Sequence, residues 1–234
     1  MPRSDLPAIV LQGLTCRYAG STRAALDRIN LSINLGEFVF LTGESGSGKS
    51  TLLRVCLLEE RADCGKVTVL GRDVTRVPRG RRHDLRQQVG VVFQDYKLLV
   101  DRSVADNVAF ALEVAGHGRE TVLARVDEAL DLVGLRDRAD DLASQLSGGE
   151  QQRTAVARAI ASRPKILLAD EPTGNLDPDN SVAIFELLRT LHHAGTTVVV
   201  ATHDIDTVRR LGMRTVTLGA GSLLSDSPAG SGSL

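Results

Sequence analysis

The sequence predicts a protein of the α/β class built on a parallel sheet, and three observations carry that prediction. Short apolar runs alternate with segments of helical period along the chain. One run, Phe38–Thr42, leads into a glycine-rich segment from Gly43 to Gly48 and then into a helix-forming stretch. Another, residues 166–169, ends on two consecutive carboxylates followed by Pro172.

Element by element, residues 9–11 and 31–33 read as strands of a half-buried sheet. Phe38–Thr42 is apolar on both faces, as a strand covered on two sides should be. A helix is expected over residues 50–58. Further buried strands are expected at 89–93, 166–169 and Thr197–Ala201. The middle of the chain is helical. Val122, Val126, Ala129, Leu130 and Val133 fall on one stripe of a helix over 120–133, with Gly134 placed to cap it. A helix over 150–161 follows, then one over 179–193 whose buried face is Ile184, Leu187, Leu188 and Leu191, stopped by Gly195. Residues 96–161 are expected as a helical lobe inserted into one domain spanning 5–225. The Ser, Gly and Pro of 226–234 predict a disordered tail.

At 234 residues the chain can bury a core without disulfides or metals. Its 28 Lys and Arg balance 29 Asp and Glu, so it is not built as a nucleic-acid clamp, which needs clustered positive charge. Cys16, Cys56 and Cys64 are an odd number without paired metal-ligand spacing, which points to a reducing compartment. No signal-peptide pattern follows Met1, and no run approaches the ~20 apolar residues that cross a bilayer. A cytoplasmic chain is expected, with any membrane supplied by another subunit.

Gly43-Glu44-Ser45-Gly46-Ser47-Gly48-Lys49-Ser50 fits the spacing G-x-x-x-x-G-K-[ST] between a buried strand and a helix. The glycines let backbone N–H groups converge on phosphate oxygens, and the helix N-terminus adds partial positive charge. Lys49 supplies a full charge, and the Ser50 hydroxyl can reach Mg²⁺. Asp170 and Glu171 are tolerable only where their strand ends, because adjacent residues point to opposite faces and one acid mid-strand would enter the core. Ligands of open α/β sheets sit beyond the carboxyl ends of the strands, which puts this pair beside the phosphate loop. Asp170 then suits Mg²⁺, and Glu171 suits polarising a water.

Ser147-Gly148-Gly149 at the start of a helix is a second anion-binding N-terminus. One nucleotide has no need of two, and this one lies on the inserted lobe. A head-to-tail pair resolves the surplus, each chain's Ser147, Gly148 and Gly149 covering the γ-phosphate held by the other.

With Leu146-Ser147-Gly148-Gly149-Glu150-Gln151-Gln152-Arg153, the chain from about Ile9 to Leu224 resembles one cassette of the ABC ATPases. The resemblance implies a P-loop NTPase fold, with a RecA-like parallel core, an N-terminal antiparallel β subdomain and an inserted α-helical lobe. It implies ATP and Mg²⁺ as ligands. Nucleotide contacts are then Tyr18, Gly43, Ser45, Gly46, Gly48, Lys49, Ser50 and Thr51, with Ser147, Gly148 and Gly149 arriving from a second copy. Tyr18 matches the aromatic that stacks on adenine, and Gln94 the residue that senses Mg²⁺ and γ-phosphate. Asn175-Leu176-Asp177 match the D-loop, and His203 the switch histidine. Glu171 is then the general base, and Ser50, Gln94 and Asp170 face the metal. Taken singly, Tyr18 fits surface packing, Gln94 a solvated loop and His203 a structural histidine; their joint spacing selects the ABC reading. His83, His117, His192 and His193 match nothing and are read as surface residues.

The chain has one cassette, where translation-associated relatives carry two, and lacks the long coiled-coil or zinc insertions of the DNA-repair kinds, so the natural partner is a separate transmembrane permease subunit docking near Gln94. Residues 94–108 resemble the cell-division branch of the family. That branch implies a homodimer formed on ATP binding, peripheral on the inner face of the cell membrane. It would drive an FtsX-like subunit that regulates cell-wall hydrolases, with the division-ring protein FtsZ as a further contact. Residues 168–177 are shared with lipoprotein-releasing and macrolide-efflux relatives, so a transporter ATPase stays open, as does a division scaffold that binds ATP without turnover. One departure from the family is residues 57–65, which lack an early Gly and predict a longer helix there.

Overall fold

A computed structural model describes residues 7–78 and 82–230. It opens with β1 (Pro7–Cys16) and β2 (Leu26–Asn34), paired antiparallel. In β2, Leu26, Ile29, Leu31 and Ile33 are buried while Arg28, Asn30 and Ser32 face water, the alternation of a sheet covered on one side. Next come β3 (Phe38–Thr42), α1 (Lys49–Cys56), β4 (Cys64–Val69) and β5 (Arg72–Asp73). The strands β2-β1-β4-β5, in that order, make one antiparallel sheet.

After α2 (His83–Arg86) and β6 (Val89–Val92), the helices α3 (Val104–Val114), α4 (Arg119–Leu132) and α5 (Gly148–Ile160) follow without an intervening strand. The chain then returns through β7 (Ile166–Asp170), α6 (Pro178–His193), β8 (Thr197–Ala201), α7 (Ile205–Leu211), β9 (Arg214–Gly219) and β10 (Ser222–Ser227). The second sheet has the order β10-β9-β3-β8-β7-β6, parallel throughout except at the β10 edge. Its strands β3 and β8 are buried at every residue. Val39, Leu41, Val199 and Ala201 face the antiparallel sheet and α1, whereas Phe38, Phe40, Val198 and Val200 face the helices of the other side. Period-two side-chain direction thus divides one apolar run between two cores.

Several expectations change. The helix over 50–58 is α1 and ends at Cys56, so residues 57–65 do not extend it. Leu57 and Leu58 turn into the core, each 5% exposed, with Leu58 at φ 58°. The carbonyls freed at that turn accept from guanidinium groups, Leu57 O from Arg86 and Leu58 O from Arg82 and Arg86. Helix α3 is an addition to the expected elements, and its start carries a local signal: the Ser103 hydroxyl accepts from the Asp106 N–H at 3.0 Å. His192 is half-buried rather than a surface residue, and its ring meets Phe38 edge-on at 5.7 Å.

The expectation of disorder from residue 226 also fails over the described residues. Asp226 and Ser227 complete β10, opposite Val216 and Thr215, while 231–234 and residues 5 and 6 lie outside the described residues. Arg214 is the reason Asp226 is held. Its guanidinium donates to both oxygens of Asp226 (2.9 and 2.8 Å), to Glu37 (2.6 Å) and to the Ser32 carbonyl (2.9 Å). It therefore pins the β10 edge to the antiparallel sheet, and the Asp226 hydrogen bonds hold its pKa above the usual value. Arg214→Ala leaves the half-buried Glu37 carboxylate without its cation, held only by the Asn34 amide at 3.1 Å among the described residues, and is expected to cost about 2 kcal/mol. Urea unfolding checks this, since an unchanged midpoint would show that the pin contributes nothing.

Candidate active site

β3 ends at Thr42, and the chain turns through residues 43–48 before α1 begins. Two glycines are dictated by close approach. A Cβ on Gly43 (φ 139°) would lie 2.1 Å from the Leu218 carbonyl oxygen, and one on Gly48 (φ 109°) 2.5 Å from that of Ala25. The turn is thereby wedged against β9 and the residue preceding β2. Gly48 caps α1 without a side-chain bond, and no acid sits in the first turn, so the helix's leading N–H groups are left for an anion. Lys49 is 7% exposed, its ammonium donating to the carbonyls of Gly43 (2.8 Å) and Glu44 (3.2 Å). The buried Ser47 hydroxyl has no partner among the described residues. A cation, open N–H groups and an orphaned hydroxyl together suit a polyphosphate.

The carboxylates come from the neighbouring strands. Asp170 ends β7, and its Oδ1 accepts from the Ser50 hydroxyl at 2.9 Å. Burial pushes the Asp170 carboxyl up, the Ser50 bond pulls it down, and the Glu171 charge raises it again. Glu171 follows with φ 47°, a left-handed conformation that an ordinary residue adopts only under constraint. The constraint is visible: its N–H donates to the Ala201 carbonyl at 2.9 Å, and its carboxylate lies 2.9 Å from His203 Nδ1 while accepting from the His203 N–H at 3.3 Å. Lys49 Nζ stands 4.0 Å from the same carboxylate.

These groups face one cavity of about 710 Å³, lined by Tyr18, Ser45, Gly46, Lys49, Ser50, Thr51, Gln94, Glu171 and His203, among others. The 39%-exposed Tyr18 bonds its hydroxyl to Thr51 at 3.0 Å. An adjoining recess is lined by Ser50, Gln94 and Asp170, the three residues expected at a metal. Their donors are hard oxygens, as Mg²⁺ requires, and too few to enclose it, so the remaining positions fall to water and phosphate. No cluster of His, Cys, Asp and Glu that could hold a metal occurs among the described residues. Ser147, Gly148 and Gly149 line neither space.

Comparison with known proteins meets this geometry. The family model described as ABC transporter matches residues 26–174, which hold the phosphate turn, Gln94, the second glycine-rich helix start and the carboxylate pair. This chain belongs to the ABC transporter ATPase family. It is an ATPase by that membership, and its relatives are close. The cell division ATP-binding protein FtsE of Mycobacterium tuberculosis is 50% identical over 223 residues, covering 95% of this chain and 96% of its own. FtsE of Escherichia coli is 47% identical over 206 residues, 88% of this chain and 92% of its own. Among solved structures, a dimeric ATP-binding cassette in a post-hydrolysis state with ADP and Pi superposes at a TM-score of 0.86, with 34% identity over 94% of this chain and 98% of that one. CbiO1 of Clostridium perfringens, part of an ABC transporter complex, gives 0.87 at 29% identity, over 96% of this chain and 90% of its own.

In this ABC ATPase the signature segment is built as a capped helix end. The Ser147 hydroxyl lies 2.8 Å from Glu150 Oε2, which also accepts from the Ser147 N–H at 2.9 Å. Those bonds, the backbone one foremost, hold the Glu150 carboxyl below its usual range, and Arg138 pairs with it at 2.9 Å. A Cβ on Gly149 would lie 2.2 Å from Asn180 Oδ1, so the signature packs hard against the start of α6. Asn180 in turn bonds Asp177, the residue that caps α6. Three residues around the signature helix make contacts that the sequence reading did not assign. Gln152 is fully buried and donates to the Pro172 carbonyl at 2.5 Å, tying α5 to the end of the carboxylate strand. Asn180 and Arg158 are the others. The partners that matter here, Pro172 for Gln152, Gly149 for Asn180 and the 96–97 carbonyls for Arg158, are remote in sequence, so no local pattern marks these contacts even though Gln152 lies within the signature segment.

Proposed function

We propose that this chain binds and hydrolyses ATP as the nucleotide-driven subunit of a membrane ABC complex of the cell-division kind, FtsE-like. The observation that carries the reading is the convergence of Lys49, Ser50, Gln94, Glu171 and His203 on one cavity whose floor is the turn at 43–48. Tyr18 would stack on adenine, and the backbone of Gly43, Ser45, Gly46, Gly48, Lys49, Ser50 and Thr51 would hold the phosphates. Glu171 takes the proton of the attacking water, and His203, already on its carboxylate, orients that water and the γ-phosphate. Ser50, Asp170 and Gln94 would hold Mg²⁺, which would supply positive charge against the phosphates.

The surface position of Ser147 and Gly148, away from the chain's own cavity, supports a head-to-tail homodimer in which each copy completes the other's site. That a dimer is the form of the similar cassette solved with ADP and Pi supports the same arrangement.

No helix among the described residues is long and apolar enough to cross a membrane, so an FtsX-like transmembrane partner fits better than a self-contained channel. The surface it would use is a groove of about 460 Å³ beside the Gln94 segment, lined by Val91, Phe93, Lys97, Phe110 and Val114. Phe110 and Val114 are 40% and 58% exposed, an apolar rim awaiting a partner. Through that partner, closing and opening of the dimer would regulate cell-wall hydrolases from the inner face of the membrane, with FtsZ as a candidate cytoplasmic contact. The shared cell-division name of the relatives favours this over a lipoprotein-releasing or macrolide-efflux ATPase, and an intact base and switch histidine favour a motor over a scaffold without turnover. Purifying the tagged chain from membranes is expected to bring down one transmembrane protein of the FtsX kind, and Phe110→Asp is expected to release it with ATP binding unchanged. Capture of a substrate-moving permease instead would overturn the cell-division reading.

A further inference from the structure

Two and three residues after Gln94, Tyr96 and Lys97 both take left-handed backbone, at φ 57° and 51°. Two consecutive non-glycine residues in that region are strained, and something must hold them. The holder is Arg158, half-buried on the signature helix α5. Its guanidinium fork donates to the Tyr96 carbonyl at 2.7 Å and to the Lys97 carbonyl at 2.6 Å. On the other flank, Asn175 donates to the Gln94 carbonyl at 3.1 Å. Tyr96 also reaches the signature itself, since a Cβ on Gly148 would sit 3.2 Å from its hydroxyl. Arg158 lines the same groove as Lys97 and Phe110, so it lies between that surface and the backbone leading to Gln94.

We infer that Arg158 is a positioning residue for Gln94: its two-pronged bond keeps the strained turn at 96–97 in place and ties that turn to the helix that begins at the signature. The planar fork meets the two carbonyls from two separate nitrogens held in fixed geometry, a spacing that the single, freely rotating ammonium nitrogen of lysine does not reproduce. The inference rests on the ATPase reading above and adds a route by which movement of α5 is felt at the nucleotide.

The test is a double-variant cycle on the full chain, read as ATPase kcat and KM, affinity for a fluorescent ATP analogue, and melting temperature. Arg158→Lys is expected to lower kcat about tenfold with nucleotide affinity held within about twofold, and Gln94→Ala to do the same. Because the effect of Arg158 runs through Gln94, the double variant is expected to be no slower than Gln94→Ala alone. Losses that multiply to about a hundredfold would assign Arg158 an independent, structural role and overturn the inference. Should Arg158→Lys fail to fold, it is read together with Lys97→Gly, because glycine takes left-handed backbone without steric cost. That pair is expected to fold and turn over at least about threefold faster than Gln94→Ala. A pair that unfolds, or folds and stays as slow, overturns the role. An inactive wild-type chain would instead sink the ATPase reading, so the two failures are told apart.

Discussion

Glu171→Gln is expected to bind ATP normally, accumulate as a closed dimer and hydrolyse about 10²–10⁴-fold more slowly than the natural chain. Glutamine keeps the size and hydrogen-bonding reach of the side chain, so the bond to the His203 N–H and the left-handed backbone at 171 persist. What it loses is the ability to take a proton. In the proposed head-to-tail dimer, closure would depend on ATP and on the signature of the second copy, neither of which needs the base, so the assembly is expected to form and then stall. Size-exclusion chromatography with ATP and phosphate release by single turnover measure the two halves of this expectation. Hydrolysis at the natural rate would remove Glu171 from the role of base. A variant that stayed monomeric with ATP bound would remove the dimer instead.

Lys49→Ala should abolish nucleotide binding at ordinary concentrations while leaving the fold standing. A unit charge pair near 4 Å is worth about 4 kcal/mol at an effective dielectric of about 20. Allowing for water that fills the vacated space, affinity is expected to fall by about 10²–10³-fold. The fold should survive because, among the described residues, the ammonium is held only by two loop carbonyls and by Glu171 at 4.0 Å. The expected signature is a melting temperature close to that of the natural chain without nucleotide, and no rise when ATP is added. Retained affinity would mean that the backbone N–H groups and the helix end suffice without the lysine.

Much of the fold was legible because burial leaves a local trace. Phe38–Thr42 and Thr197–Ala201 are apolar at nearly every position since both faces are covered, and both are strands over those bounds. The 3.6-residue stripe at Val122, Val126, Ala129 and Leu130 likewise produces α4. The misread places have their own physics. Around Leu57 a good helical sequence stops because two leucines gain more by turning into the core, and guanidinium groups from α2 and its approach take up the freed carbonyls. At Asp226 a sequence without periodicity is recruited as an edge strand by one arginine twelve residues away.

The spacing of Gly43, Gly48, Lys49 and Ser50, the two acids closing β7 and the serine-capped glycines at 147–149 are all properties of short contiguous segments, so the sequence alone determines them and, through them, the family. Their meeting is a different matter. Ser50 and Asp170 lie 120 residues apart and meet at 2.9 Å only because β3, β8 and β7 are neighbours in that order, with β6 delivering Gln94 at the edge. Strand order follows from how helices pack on both faces of the sheet, an outcome shared among many residues and written in none of them. The same holds for Arg158, whose grip on a turn 61 and 62 residues earlier exists only once α5 has docked.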